Sequence, residues 1–304
     1  MPAPTPSARR RQRLLRTGVV TAVGLALVAT ALVVAVRGAQ VPLPGSRCTA
    51  SAGGGEHSLT ADRAAVAALI TARASARGLP ARAATIGIAT AIQESGLRNL
   101  DHGDRDSLGV FQQRPSQGWG TPEQVQDVLY ATDAFYDGLI EVEGYEALEV
   151  TDAAQRVQRS GFPTAYADHE PEARVLASAL TGYSAAALVC RLPDVDSSEP
   201  QVVGEDGMTS RARGVVEEAA LQLADEGLVV VDGTGGTVLG RSYGEGEDAA
   251  RRGWALAQWA VARAVGTDVV EVATDGRRWS RHEAAWVQDD AAPPAGAVRI
   301  TVAG

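Results

Sequence analysis

Gln93-Glu94-Ser95-Gly96-Leu97 closes an apolar run from Thr85 to Ile92, and soon afterwards the chain reads Ser107-Leu108-Gly109-Val110-Phe111-Gln112-Gln113-Arg114-Pro115. A carboxyl at the end of an apolar helix is suited to proton transfer. Desolvation raises its pKa and keeps it protonated at neutral pH, as delivery of a proton to a leaving group requires. Ala91, Thr90 and Gly87 precede Glu94 on one helical face and are small, which predicts room for a ligand beside the helix. Side-chain amides both donate and accept, so Gln112 and Gln113 suit a ligand rich in neutral polar groups. Trp119 adds a flat ring face. Each residue also has a plainer reading: a surface acid ending a helix, a loop amide bonded to its own backbone, a packing tryptophan.

The Glu94-Ser95 pair followed by a Ser-x-Gly-x-x-Gln segment resembles the catalytic core of the lytic transglycosylase and goose-type lysozyme group, which cuts peptidoglycan glycan strands. The resemblance spans roughly residues 56 to 192. It implies that Glu94 is the general acid and that Gln112 lines the groove opposite, with Gly109 keeping the backbone close. Ser95, Gln113, Arg114 and Trp119 would continue the substrate-binding rim. Val110-Phe111 stands where the family often has Leu-Met. The family's Ala-x-x-Tyr-Asn segment has no clean counterpart: Ala153 to Gln158 falls about where it should, without the Tyr-Asn pair. Tyr166 and Gln158 are the substitutes for the tyrosine that approaches the glutamate.

Mechanism turns on a second carboxylate. The family's transglycosylases use one glutamate and let a group of the substrate attack. An inverting, water-using muramidase needs a base about 6.5–9.5 Å from the acid. Asp104 and Asp106 are the candidates, although acids in a Gly/Asp/Arg-rich turn also serve turn chemistry. The missing Tyr-Asn pair keeps a third reading open, a peptidoglycan-binding or scaffolding protein without catalysis.

The elements that must position these residues follow from pattern. Thr60 opens a helix through Ala72 that Gly78 ends, and Pro80 starts the helix carrying Glu94. The turn-rich stretch after Arg98 is the expected groove rim. Helices are predicted over 122–142, 151–160 and 171–180. Acidic, structure-poor residues 193–208 predict a boundary. Beyond it helices are expected over 209–226 and 248–265. Strands are expected at 228–231, 269–273, 277–280 and 298–302, with Asp275-Gly276 as a hairpin turn. The pattern predicts a mainly α domain over 56–192, which the resemblance implies is lysozyme-like, then a small α+β accessory domain over 209–304. Trp254, Trp259, Trp279 and Trp286 are either a sugar-binding face or the core of that second domain.

Residues 1–17 form a basic tail, and the uncharged run 18–36 is about 28 Å long as a helix, enough to cross a bilayer. The positive-inside rule places the amino terminus in the cytoplasm and the body outside, single-pass; a cleaved signal would make the protein secreted. Residues 37–55, Pro- and Gly-rich from Pro42, read as a tether. Six of the 28 basic residues precede position 38, which leaves 22 against 37 acids, a net of −15 for the body. So acidic a body argues against nucleic-acid binding. One apolar span without charge is a poor basis for a membrane transport component. Cys48 and Cys190 are the two cysteines, expected to pair in an oxidising compartment. No cofactor or metal is predicted: neither cysteine has a partner at ligand spacing, and Asp101, His102, Asp104 and Asp106 do not match a calcium loop. Asp232-Gly233-Thr234-Gly235-Gly236 lacks the lysine of a phosphate-binding loop.

Overall fold

Cys48 and Ala50 alternate with more exposed neighbours along Arg47–Ala52, the period of a strand with one buried face. This strand, β1, turns at Gly53-Gly54, both at positive φ (60° and 79°), into β2, Gly55–Thr60. The pair is a hairpin of the tight glycine-turn type. On its other side β1 pairs antiparallel with β3, Leu188–Arg191, which places Cys48 opposite Cys190. The two form a disulfide with Cα atoms 4.0 Å apart, across a sequence separation of 142. The computed structural model describes residues 45–196, 201–231 and 233–304. The basic tail and the apolar run 18–36 lie outside the described residues, as does Asp232. Among the described residues no helix is long and apolar enough to cross a membrane.

Thr60 precedes helix α1, Ala61–Ala76, whose alanines are buried almost all round. Gly78 follows at φ 68°, and Pro80 stands just before α2, Ala81–Ser95. Gly96 ends α2 in the left-handed region, and the N–H groups of Gly96 and Leu97 close on the carbonyls of Ile92 and Ala91. The single helix expected over 122–142 is two, α3 (Pro122–Gln126) and α4 (Val128–Ile140). Asp127 divides them: its backbone leaves the helical region and its carboxylate caps the N–H of Leu129 at 2.9 Å. Helix α5, Val150–Gln158, a 3-10 turn at Ala165–His169 and α6, Glu170–Leu180, complete this part.

The remainder contains α7 (Ser210–Leu223) and α8 (Glu247–Thr267). Six strands join them: β4 (Val229–Val230), β5 (Val238–Ser242), β6 (Val269–Thr274), β7 (Arg277–Ser280), β8 (Trp286–Gln288) and β9 (Ala297–Val302). They form one antiparallel sheet in the order β4-β5-β9-β6-β7-β8. Asp275 and Gly276 make the hairpin turn, both at positive φ. Strand β4 is a two-residue edge with Val229 exposed, shorter than the strand expected at 228–231.

These sheets correct the expected fold class. The body is not a mainly α domain followed by a small α+β one, because antiparallel sheets of three and six strands accompany the helices. Leu43–Gly304 forms one compact unit. Fully buried Gln258 of α8 shows how its parts are joined. Its Oε1 accepts from the N–H groups of Ala187 (2.8 Å) and Leu188 (2.7 Å), while Nε2 donates to the carbonyls of Ala179 (2.7 Å) and Ser184 (3.0 Å). Trp286 donates to the Leu188 carbonyl at 2.9 Å. Trp254, Trp259 and Trp279 are buried, so these rings are core and not an exposed sugar-binding face.

Candidate functional site

Glu94 is the penultimate residue of α2, half-buried at the floor of a cleft of about 510 Å3. Its helix is fixed by close packing rather than left open on one side. Thr90 and Ala91 are fully buried, and a Cβ built on Gly87 would lie 2.8 Å from the Tyr136 hydroxyl and 3.0 Å from Ile70 Cγ2. The small residues expected to make room for a ligand thus make room for α1 and α4 instead. The ligand space lies beyond the helix end.

The carboxyl has two protein partners. Fully buried Tyr166, on the 3-10 turn, donates its hydroxyl to Glu94 Oε1 at 2.6 Å. The Gln158 amide also supports the ionised form, and its Nε2 is positioned by the Phe111 carbonyl at 2.7 Å. Burial nevertheless dominates and holds the Glu94 pKa above its ordinary value, against the lowering effect of these two hydrogen bonds. Burial, with the neighbouring Glu94 charge, pushes the Tyr166 phenol upward, so it remains a donor. The turn bearing Tyr166 is tied back to α2: His169 Nε2 lies 3.0 Å from Gln93 Oε1, and its Nδ1 lies 2.7 Å from Glu172 Oε1. Glu172 also pairs with His57 of β2 at 3.1 Å.

The segment facing Glu94 is a knot at 107–115. Leu108 and Gln113 exchange both backbone hydrogen bonds at 3.0 Å, Gly109 sits at φ 78° and Gln112 at φ 48°. Only glycine fits at 109: a Cβ there would stand 2.1 Å from the Val125 carbonyl oxygen. Gln112 lines the cleft, with Nε2 at 3.2 Å from the Gly109 carbonyl and 3.3 Å from that of His102. Gln113 is almost wholly buried and spends Nε2 on the Ala131 carbonyl at 3.0 Å, while its buried Oε1 has no hydrogen-bond partner. Ser95 is buried as well. Its hydroxyl bonds to the carbonyls of Ala91 (3.0 Å) and Val110 (2.8 Å) and accepts from the N–H of Arg98 (3.1 Å). It locks the helix end to the knot and does not line the cleft.

The two aspartates separate. Asp104 stands exposed on the rim. Asp106 is turned to Ser116 and Arg114: it accepts from the Ser116 N–H (2.8 Å), the Ser116 hydroxyl (2.9 Å) and Arg114 Nε (2.9 Å). Those bonds, the backbone one foremost, hold its carboxyl well below the usual range, so it is a poor base. Trp119 and Gln158 lie on the wall shared with a second hollow of about 730 Å3, so the two spaces adjoin. Arg159, Ser160 and exposed Phe162 complete the first hollow. Sequence reading missed these three and His169, because a turn and a histidine far along the chain carry no periodic signal. Among the described residues no group of three His, Cys, Asp or Glu side chains is placed to hold a metal ion. No protein-family model matches the chain, and no curated protein does either.

Proposed function

We propose that the protein cleaves the glycan strands of peptidoglycan, as a lytic transglycosylase does, with Glu94 as its single catalytic carboxyl. One observation carries the reading: a carboxyl whose pKa is raised by burial faces an amide-lined cleft, with a buried tyrosine bonded to it. The two adjoining hollows suit a polymer lying past Glu94 rather than a small molecule. Gln112, Gln158 and Trp119 would meet hydroxyl, acetamido and ring faces of sugars. The resemblance of the Glu94-Ser95 and Gly109-to-Gln112 segments to that enzyme group adds to the argument.

In the step proposed, Glu94 gives its proton to the glycosidic oxygen as the C1–O bond breaks. A hydroxyl of the same sugar then bonds to C1, its proton returns to Glu94, and an anhydro-sugar end results. No water is consumed. The engagement of Asp106 by Ser116 and Arg114 favours this over a water-using muramidase, whose remaining base would be exposed Asp104. The apolar run 18–36 would anchor the enzyme in the membrane, with its body outside, facing the wall.

The test is digestion of peptidoglycan by the full-length protein beside Glu94→Gln, with products read by mass spectrometry. Anhydro ends from wild type alone are expected. Reducing ends would make it a muramidase using Asp104. No products, with both proteins still sedimenting with the wall, would leave a peptidoglycan-binding protein and overturn the proposal.

A further inference from the structure

A third hollow, of about 350 Å3, shares no lining residue with the Glu94 cleft. It lies among the ends of α1 and α7, one side of α8 and strand β5, and three arginines line it: Arg241, Arg251 and Arg252. Two of them are committed. Arg241 Nε pairs with Asp225 at 2.8 Å, and Asp225 also accepts from the Tyr243 hydroxyl. Arg251 pairs with Asp248 at 2.6 Å and donates to the Thr181 carbonyl at 3.3 Å.

Arg252 differs. Among the described residues no hydrogen bond or salt bridge engages it; its guanidinium lies 4.4 Å from the centroid of Tyr243, and its charge also acts on Asp248, whose carboxylate is bonded to Arg251. Arg241 lies 4.5 Å from the same centroid. Two guanidinium groups therefore share one tyrosine, while the nearby carboxylate, Asp225, is taken by Arg241 and the tyrosine itself. Stacking fixes the plane of a guanidinium and leaves its edge N–H groups free for a bidentate acceptor. Tyr183, exposed and with Arg251 5.2 Å from its ring centroid, adds an open aromatic face to the same lining. Asp225 and Glu226 are the lining acids: Asp225 is held by Arg241 and the Tyr243 hydroxyl, and Glu226 is exposed.

We propose that this hollow is a binding site for an oxyanion group, a carboxylate or a phosphate, held by Arg252 with Arg241 beside it and flanked by the Tyr183 ring. The site is independent of Glu94 and of the reaction assigned to it. A peptide carboxylate and a phosphate ester present the same acceptor geometry to a guanidinium, and the two sources are separated by experiment.

The experiment is calorimetric titration of the full-length protein with inorganic phosphate and, separately, with N-acetylalanine. The wild-type protein is expected to bind at least one of them. Arg252→Ala should weaken that binding roughly tenfold or more, the loss of a charge-assisted hydrogen-bonded pair. Arg252→Lys should recover little of it, since lysine lacks the planar fork. Glu94→Gln should bind as wild type does, which keeps this result separate from any assay of glycan cleavage. Binding of N-acetylalanine alone assigns a carboxylate ligand, and binding of phosphate alone assigns a phosphate ligand. Arg252 is exposed, so its variants should melt as wild type does, and Arg252→Gln is the replacement should alanine perturb folding. Heat from neither probe, or equal affinity in wild type and Arg252→Ala, would overturn the proposal.

Discussion

At the scale of residues, Tyr166 and Glu94 act as one unit. Burial raises the Glu94 pKa, and the Tyr166 hydroxyl, by stabilising the carboxylate, lowers it. Tyr166→Phe should therefore move the alkaline limb of the pH–rate profile to higher pH, because the acid form then survives further. A limb moving to lower pH, or not moving, would deny the contact its electrostatic role. The same shift bears on stability. The folded chain holds this proton more tightly than the unfolded one, so the contribution is full below the unfolded pKa and lost as pH rises through the folded one. Glu94→Gln, which cannot ionise, should lose less thermal stability than wild type between mildly acidic and neutral pH. Glu94 and Gln112 were legible because the helix end and the Gly-x-x-Gln spacing are local in sequence. Tyr166 was legible only as a substitute for a missing tyrosine. Nothing local marks Arg159, Phe162 or His169, which reach the site through turns.

At the scale of elements, the end of α2 and the knot at 107–115 must stay in register for the cleft to keep its shape. Ser95 performs that task from a buried position, with three backbone partners on two segments. Ser95→Ala leaves the Val110 carbonyl and the Arg98 N–H without this partner, at an expected cost of about 1–3 kcal/mol in denaturant unfolding. A serine that merely stopped a helix would be replaced at almost no cost. Helix existence was readable from apolar spacing and from Thr60, Gly78 and Pro80. The break at Asp127 was not, because the apolar spacing continues across it and the capping carboxylate takes effect only after the chain has bent. Strand β1 was hidden for a different reason. Its buried residues are Cys48 and Ala50, neither strongly β-prone, and the Gly- and Ser-rich sequence around them reads as linker.

At the scale of the whole molecule, pairing across a long loop organises the fold. Strand β3 pairs with β1 although every element of the Glu94 region lies between them in sequence, and the Cys48–Cys190 bridge holds the two together. On the chain-entropy account, closing a loop of that length is worth up to about 5 kcal/mol. Cys48→Ser, or full reduction, should lower unfolding stability by about 2–5 kcal/mol. An unchanged denaturation midpoint in reductant would show that the sheet alone fixes the frame. The bridge was legible from cysteine count, whereas the sheet that holds it needed partners about 140 residues apart in sequence. The joining of the carboxyl-terminal elements through Gln258 and Trp286 was equally invisible, since one buried amide and one indole carry no pattern.

The central claim is that Glu94 delivers the proton that breaks a glycosidic bond. The most direct measurement is the turnover of peptidoglycan by the full-length protein and by Glu94→Gln, with co-sedimentation confirming that both bind the wall equally. The account predicts intact binding and a kcat lowered by about 10²–10⁴ in the variant, the usual contribution of a general acid. Equal turnover by the two proteins would contradict it.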